Sequence, residues 1–416
     1  MRPGISFKIQ QKTVEPTKQL VEQVGVVALP FNLDSGVSNQ VISVTQATDF
    51  VATFGYALDN PKLKPLKLLL ENAKEVLVYI TATNTASTGK IGECTLTSKI
   101  PGTIGNSMTV TTELVERLHS FEVKIGEVVV EEFMEGAESK FITYKGTVSP
   151  GTATLESGSS QTASASNIAK FIEAIEPYNA DIIVSEYNVT SSPLLKAYVE
   201  RARNELNYNV KLVSSKYDNA NSEAVISVAN SFVDTSNNTL TNEEATYWVA
   251  GLIASTKYNQ SLTMANIPAS APVPYMNDKA VNEALTKGHL VFTVHNRKTV
   301  IEKDINTLIA PDEDSIEYLL SKNRVGRAVG FIKEQISDIF YSKYCGKLSN
   351  TPITANLFKS DIGSLLKQLE AEDAIQNVDV LNDISISITG VDSAECTLSI
   401  QPVDALEKLD VSINLR

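Results

Sequence analysis

The stretch NIAKFIEAIEPYNADIIVSEYNVTSSPLLKAYVERARNELNYNVKLV, residues 167–213, switches twice between two periodicities. Residues 167–175 carry apolar side chains at helical spacing, and Ile182-Ile183-Val184 is a short unbroken apolar run. Residues 193–206 return to helical amphipathicity, and residues 210–213 are apolar again. Helix, buried strand, helix, buried strand is the order of a sheet with parallel strands covered on both faces, because a parallel strand must return through a crossover and is hidden from water on both sides. Residues 243–255 add a further helix holding the single tryptophan, Trp248. Toward the N-terminus, strands at 24–29, 41–44 and 76–80 and a helix at 65–74 read as part of the same unit. The expected fold class is α/β and α+β, multidomain, with a three-layer α/β domain at its centre.

Two stretches rich in Thr, Ser, Gly and Ala, residues 81–90 and 150–165, read as linkers. Between them lie five short half-buried strands punctuated by Gly and Pro, which predict an inserted small β-sandwich or barrel. Beyond residue 290 comes a hairpin around His295-Asn296-Arg297, then a long helix at 324–343 with Val325, Val329, Ile332, Ile336, Ile339 and Phe340 on one face. A second helix is expected at 352–372, and a hairpin of 384–388 and 396–400 around Gly390-Val391-Asp392-Ser393. The expected division is an N-terminal arm at 1–23, the first part of the α/β core at 24–90, the β insert at 91–149, the α/β domain at 150–289, a C-terminal α+β domain at 290–404 and a C-terminal arm at 405–416.

Charge narrows the function classes. Lys and Arg number 36 against 49 Asp and Glu, a net charge of −13. A nucleic-acid surface needs a basic excess to displace counterions from phosphates, so no nucleic-acid partner is expected. Three widely spaced cysteines, Cys94, Cys345 and Cys396, form no CxxC pair and suit a reducing compartment. The first residues lack the apolar core of a signal peptide, and no apolar run approaches the ~20 residues of a membrane span. Assembly in a cytoplasm and no membrane insertion are expected.

Motifs that carry catalysis are missing. The three histidines, His119, His289 and His295, have no ligand partner at metal-binding spacing. His289, after Gly288 at a strand entrance, reads as structural or merely polar. The sequence has no GxSxG elbow, no GxGxxG turn and no GxxxxGK[ST] loop, so the α/β domain lacks a phosphate-cradling turn. Asp312-Glu313-Asp314 reads as acidic residues favouring a helix N-terminus rather than as a calcium site. No catalytic residue, cofactor or metal is expected. Arg324, Arg327 and Lys333 form a basic set that is either a solvated face or a docking surface for an acidic partner.

Both ends alternate with period two. Ile5, Phe7 and Ile9 stand against Ser6, Lys8 and Gln10, and Leu409, Val411, Ile413 and Leu415 stand against Asp410, Ser412, Asn414 and Arg416. Such strands either pair within the chain's own sheet or complete a neighbour's sheet. Ordering an arm of ~8 residues costs about 8–16 kcal/mol. Four apolar side chains return about 6–12 kcal/mol and four backbone hydrogen bonds about 4. One arm therefore comes out near zero, and only many arms engaged together would hold a lattice.

Several segments, in order, resemble contractile tail sheath proteins of phages and of phage-tail-like (R-type, diffocin-like) bacteriocins. They are Arg2-Pro3-Gly4-Ile5, residues 25–30 (GVVALP), the turn Pro101-Gly102-Thr103-Ile104-Gly105-Asn106, and residues 257–263 (KYNQSLT). The C-terminal block adds Asn306-Thr307-Leu308, the Arg-bearing helix from Arg324, Tyr344-Cys345-Gly346-Lys347, Asn350 and the Leu-rich helix beyond; Cys345 stands where an aliphatic residue is common. The resemblance implies a subunit that polymerises as stacked hexameric rings, or a helical sheath, around an inner tail tube protein, bounded by baseplate and tail terminator proteins. It implies contraction from a metastable extended state that drives the tube through a target envelope, in a phage tail or a phage-tail-like particle released by lysis. It further implies that Ile5, Phe7, Ile9, Leu409, Val411, Ile413 and Leu415 are linking strands. The receiving hairpin would carry Ile384, Ile386, Ile388, Cys396, Leu398 and Ile400, and Arg324, Arg327 and Lys333 would face the tube. A small-molecule enzyme on the α/β domain and a self-assembling surface-layer or adhesin protein are the other readings; the first lacks a Gly-rich loop and the second an export signal.

Overall fold

A computed structural model describes residues 25–162 and 165–414. Its centre is a seven-stranded sheet in the order His289–Leu290, Val225–Val228, Lys211–Ser215, Ile182–Ser185, Val26–Phe31, Glu75–Ile80 and Val41–Val44. All neighbours run parallel except the edge strand Val41–Val44, which is antiparallel to Glu75–Ile80. The apolar runs that marked these strands divide by parity between two cores. Val27, Leu29, Ile182, Val184, Val213 and Ile226 face one cluster, with helices Lys64–Leu70 and Asn242–Ser255. Ala28, Ile183, Leu212 and Val225 face the other, with helices Ala165–Ile175 and Ser191–Asn204. Helices on both faces of a mainly parallel sheet make the expected three layers. Asn242–Ser255 starts sharply because Thr241 and Glu244 form a reciprocal capping box.

Residues 81–162 build antiparallel sheets. Thr88–Ile91, Cys94–Ser98 and Ile142–Lys145 form one; Gly151–Thr154, Met108–Val115, Leu118–Ile125 and Val128–Met134 form another. Leu96, Met108, Val110, Phe121, Val123, Phe141 and Leu155 fill one core drawn from both. The stretches expected as linkers hold paired strands instead: Thr83–Thr85 pairs with Ser159–Gln161, and Gly151–Thr154 with Met108–Val115. Their threonines, which made them look like loop, line up across the ladder, with Thr109 and Thr154 hydroxyls 3.2 Å apart and Thr111 and Thr152 at 3.1 Å. Gly102, in the Pro-Gly-Thr turn, has φ +114°, and a Cβ there would run into the backbone of Asp34. Only glycine lets this turn lie against residues 34–36, where Gly36 N–H donates to the Pro101 carbonyl at 2.9 Å.

Toward the C-terminus, Phe292–His295 and Lys298–Ile301 form the expected hairpin, closed by Asn296 and Arg297, both with positive φ. The long helix covers Asn323–Ile339 and then widens into a π-turn at Phe340–Tyr344, shorter than the expected 324–343. Phe340, counted on its apolar face, is carried outward and exposed. The second helix is Pro352–Ala371, capped by Thr351, whose hydroxyl accepts from the Thr354 N–H.

Candidate intersubunit surface

Helices Asn323–Ile339 and Pro352–Ala371 enclose a core of Phe331, Ile332, Ile362, Leu365, Leu366 and Leu369, stacked from one side by Tyr258, whose ring lies 4.1 Å from that of Phe331. A ribbon of Ile384–Ile388 and Ala394–Leu398 lies on this core, pairing Ile384 with Leu398, Ile386 with Cys396 and Ile388 with Ala394. Its second strand begins two residues earlier than the expected 396–400, and Ile400 falls outside it. Ile384 is buried, Ile386 and Leu398 are half-buried against the helices, and Ile388 and Cys396 are exposed. Asn350 holds the ribbon's turn, its amide donating to the carbonyls of Gly390 at 2.9 Å and Ser393 at 3.0 Å. The sheet has only two strands, so among the described residues each strand keeps one edge unpaired. Two strands with one apolar face and two open edges form a template for further strands.

The tail leaves this unit along a defined path. Gln401–Pro402 pairs with Ile375–Gln376, and Val403 N–H donates to the Ala374 carbonyl at 3.1 Å. Glu407 is then drawn into the protein. Its carboxylate accepts from the Thr263 hydroxyl at 2.9 Å, bonds the buried ammonium of Lys322, and lies 4.0 Å from Lys303. Asp404 stands 3.6 Å from the same Lys322. Burial alone would lower the Lys322 ammonium, but the Glu407 hydrogen bond and the charges of Glu407 and Asp404 hold it above the usual lysine range. Past Lys408, Leu409, Val411 and Ile413 are 77%, 70% and 80% exposed and belong to no strand. Ile5, Phe7, Ile9 and Leu415 lie outside the described residues.

The basic set separates into three environments. Lys333 is exposed. Arg324 is half-buried and donates to the Asp373 carbonyl at 3.0 Å. Arg327 is a correction: it is 4% exposed, and its guanidinium bonds Asp304 at 2.5 Å and the Gln260 carbonyl at 2.6 Å. It faces inward because Asp304 is also buried. Burial alone would raise the Asp304 carboxyl; Arg327, with donors from Leu262 and Asn323, holds it below the usual range. Asn323 also accepts from the buried Lys211 ammonium at 3.1 Å, so the network runs from the parallel sheet through Asp304 to the long helix. Residues 257–263 sit at its centre, since Thr263 receives the Asp304 N–H at 3.0 Å and donates to Glu407. The Glu407 anchor carried no sequence signal beyond two acids, Asp404 and Glu407, one helical turn apart ahead of the alternating end.

The crevice at the carboxyl ends of the central strands, where an enzyme of this architecture would bind its ligand, measures about 540 Å³ and is lined by Phe31, Thr81, Ser185, Glu186 and Tyr247. The nearly buried Tyr247 hydroxyl donates to Glu186 at 3.0 Å. No group of three or more His, Cys, Asp or Glu among the described residues gathers into a metal site. His289 is held between Ser227 Oγ and Asp218 Oδ1, each at 2.7 Å, at the end of the sheet. No described helix is long and apolar enough to cross a membrane.

Two family models match. The phage tail sheath protein central domain matches residues 161–307 and the phage tail sheath C-terminal domain matches residues 318–416, together more than half of the chain. The chain belongs to the phage tail sheath protein family. The sheath tail protein of Desulfitobacterium hafniense is 26% identical, with a TM-score of 0.84 and all of both chains covered. That of Listeria innocua is 23% identical, with a TM-score of 0.80 over 92% of this chain and 93% of the other. The phage-like element PBSX protein XkdK of Bacillus subtilis (strain 168) is 25% identical over all of this chain and 97% of that protein. This sheath protein is a structural subunit of a contractile tail, and not an enzyme. The boundary between the matched regions falls at the Asp304–Asn323–Arg327 network, which fastens one to the other.

Proposed function

We propose that this sheath subunit links to its neighbours by strand exchange at the C-terminal ribbon, with the tail beyond Lys408 as the donated strand. One observation carries the reading. The tail is fixed by Glu407 against Lys322 and Thr263, and directly afterwards presents an exposed apolar alternation, Leu409, Val411 and Ile413, that the described residues leave uncovered. The ribbon Ile384–Ile388 and Ala394–Leu398 offers open edges of matching length. Ile5, Phe7 and Ile9, with Leu415, complete the linking set on the pattern of their sequence. Residues 1–23 and 405–416 are then arms, 290–404 the assembling domain, 24–90 and 150–289 the α/β domain, and 91–149 an inserted β-domain.

In this reading the subunits form stacked hexameric rings, or a helical sheath, around an inner tube protein, between a baseplate and a tail terminator, with assembly in the bacterial cytoplasm. Lys333 and Arg324 are the candidate tube-facing cations; Arg327 is committed to Asp304. The sheath contracts from a metastable extended state and drives the tube through a target envelope while the arms keep neighbours joined. Electron microscopy of the chain truncated after Lys408, beside the full chain, tests this. Tubes or ring stacks from the full chain and none from the truncation are expected; equal polymerisation of both contradicts strand exchange.

A further inference from the structure

Ser227, His289 and Asp218 stand in the serine–histidine–acid order of a hydrolase triad. Ser227 Oγ lies 2.7 Å from His289 Nδ1, and His289 Nε2 lies 2.7 Å from Asp218 Oδ1. Burial rules out the catalytic use. Ser227, inside strand Val225–Val228, is 0% exposed, so no substrate reaches its hydroxyl, and its oxygen already takes the Tyr217 N–H at 2.8 Å.

The three residues instead join separate parts of the fold. Ser227 and His289 are register partners at the edge of the central sheet, where His289–Leu290 is only two residues long. Asp218 belongs to the loop 216–222, which passes through left-handed backbone at Lys216, Asn219 and Asn221. Loop and edge both meet the joint with the C-terminal domain. Ser222 N–H donates to Thr307 Oγ at 3.2 Å, and that hydroxyl donates to the Ser222 carbonyl at 3.0 Å. Gly288, with φ +76°, passes so close that a Cβ there would stand 2.6 Å from Thr307 Cα. Asp304, which holds Arg327 and Asn323 of the long helix, is three residues before Thr307.

The hydrogen-bond inventory sets the protonation state. Since Ser227 Oγ accepts from Tyr217, its own O–H is left to donate to His289 Nδ1, which accepts only when it carries no proton. Nε2 then carries the proton and donates to Asp218. A second proton, on Nδ1, would turn the Ser227 hydroxyl away, and among the described residues that buried O–H has no other acceptor. The return is an ion pair with Asp218, whose side chain is 57% exposed and therefore screened.

We propose that Ser227, His289 and Asp218 form an acid-released clasp, which holds the loop 216–222 and the edge strand His289–Leu290 against the joint with the C-terminal domain. Neutral His289 closes the clasp, and a proton on it opens the clasp. The other charges around the imidazole act with this sense or are remote from it. Lys287 opposes the proton. Helix Asp278–Thr286 buries Val281 and Ala284 with Val291 and keeps Lys279 and Glu283 exposed, and Asn306 and Thr307 are uncharged. Burial, outweighing the hydrogen bond and charge of Asp218, lowers the imidazole below the usual histidine range. A lowered base binds its proton less tightly folded than unfolded. The stability it contributes is complete above the free imidazole value of about 6.5 and is lost as pH falls below it.

Hydrogen exchange of the intact chain at pH 7.5 and 5.5, corrected for the intrinsic rate, tests the clasp. In the wild type, peptides covering 216–222 and 288–290 should lose about three- to tenfold in protection at the lower pH, tenfold being the ceiling for a free value near 6.5. Helix Lys64–Leu70 should not change. H289Q, which cannot titrate, should flatten the profile. D218N keeps an acceptor for Nε2–H but removes the imidazolium's counter-charge, so its loss at pH 5.5 should be at least as deep as the wild type's; it serves if H289Q fails to fold. A wild type whose loop is equally protected at both pH values overturns the proposal. So does a folded H289Q that keeps the wild-type profile, or a D218N whose loss is shallower.

Discussion

The central sheet and the C-terminal ribbon are both made of short apolar strands, yet one is closed and the other is not. In the sheet, Val27, Ala28 and Leu29 are covered on both faces, and one end is finished by an antiparallel strand, the other by the two-residue strand His289–Leu290. In the ribbon only one face is covered, Ile388 and Cys396 are exposed, and the tail beyond Lys408 pairs with no strand among the described residues. A polymer-forming chain keeps apolar surface uncovered where a neighbour can cover it, and on the proposed reading the ribbon and the tail are that surface. Between the two regions stands the polar network of Asp304, Asn323, Arg327, Lys322 and Glu407.

Breaking that network should have the largest effect. Arg327→Ala leaves Asp304 as a buried, unpaired carboxylate and is expected to cost about 3–5 kcal/mol, read as a loss of denaturant midpoint in the free chain. Retained stability would mean that Asp304 finds another cation. Glu407→Gln weakens the hold on Lys322 and should cost less, about 1.5–3 kcal/mol, with faster hydrogen exchange in residues 403–408 but not in the central sheet. The truncation after Lys408 should have the smallest effect on the free chain, within about 0.5 kcal/mol, because the described residues it removes, 409–414, are all exposed. A chain that is stable yet unable to polymerise would sharpen the contrast between the two regions; a melting loss as large as that of Arg327→Ala would erase it.

Much of this was legible in the sequence, and unevenly so. Apolar runs between amphipathic helices gave the order of the α/β unit because burial on both faces removes polar residues from strands such as Ile182–Ser185. The ribbon was legible from Gly390-Val391-Asp392-Ser393, but its second strand begins at Ala394 because exposed ribbon positions carry no burial signal. Arg327 was misread because helical periodicity cannot show a carboxylate lying 23 residues away. The threonine-rich strands looked like linkers because composition does not distinguish a cross-strand hydroxyl pair from a loop.

The central claim, that the tail of one subunit lies on the ribbon of the next, can be tested with a cysteine already present. Cys396 is exposed on the ribbon, while Cys94 is buried and Cys345 can be removed as C345S. Single cysteines L409C, V411C and I413C in that background, assembled and then mildly oxidised, place a second thiol along the tail, and a disulfide requires Cα atoms within about 7 Å. The account predicts a covalent ladder of dimers, trimers and longer species from at least one of the three, dependent on Cys396. Well-formed tubes that give only monomer for all three would contradict it.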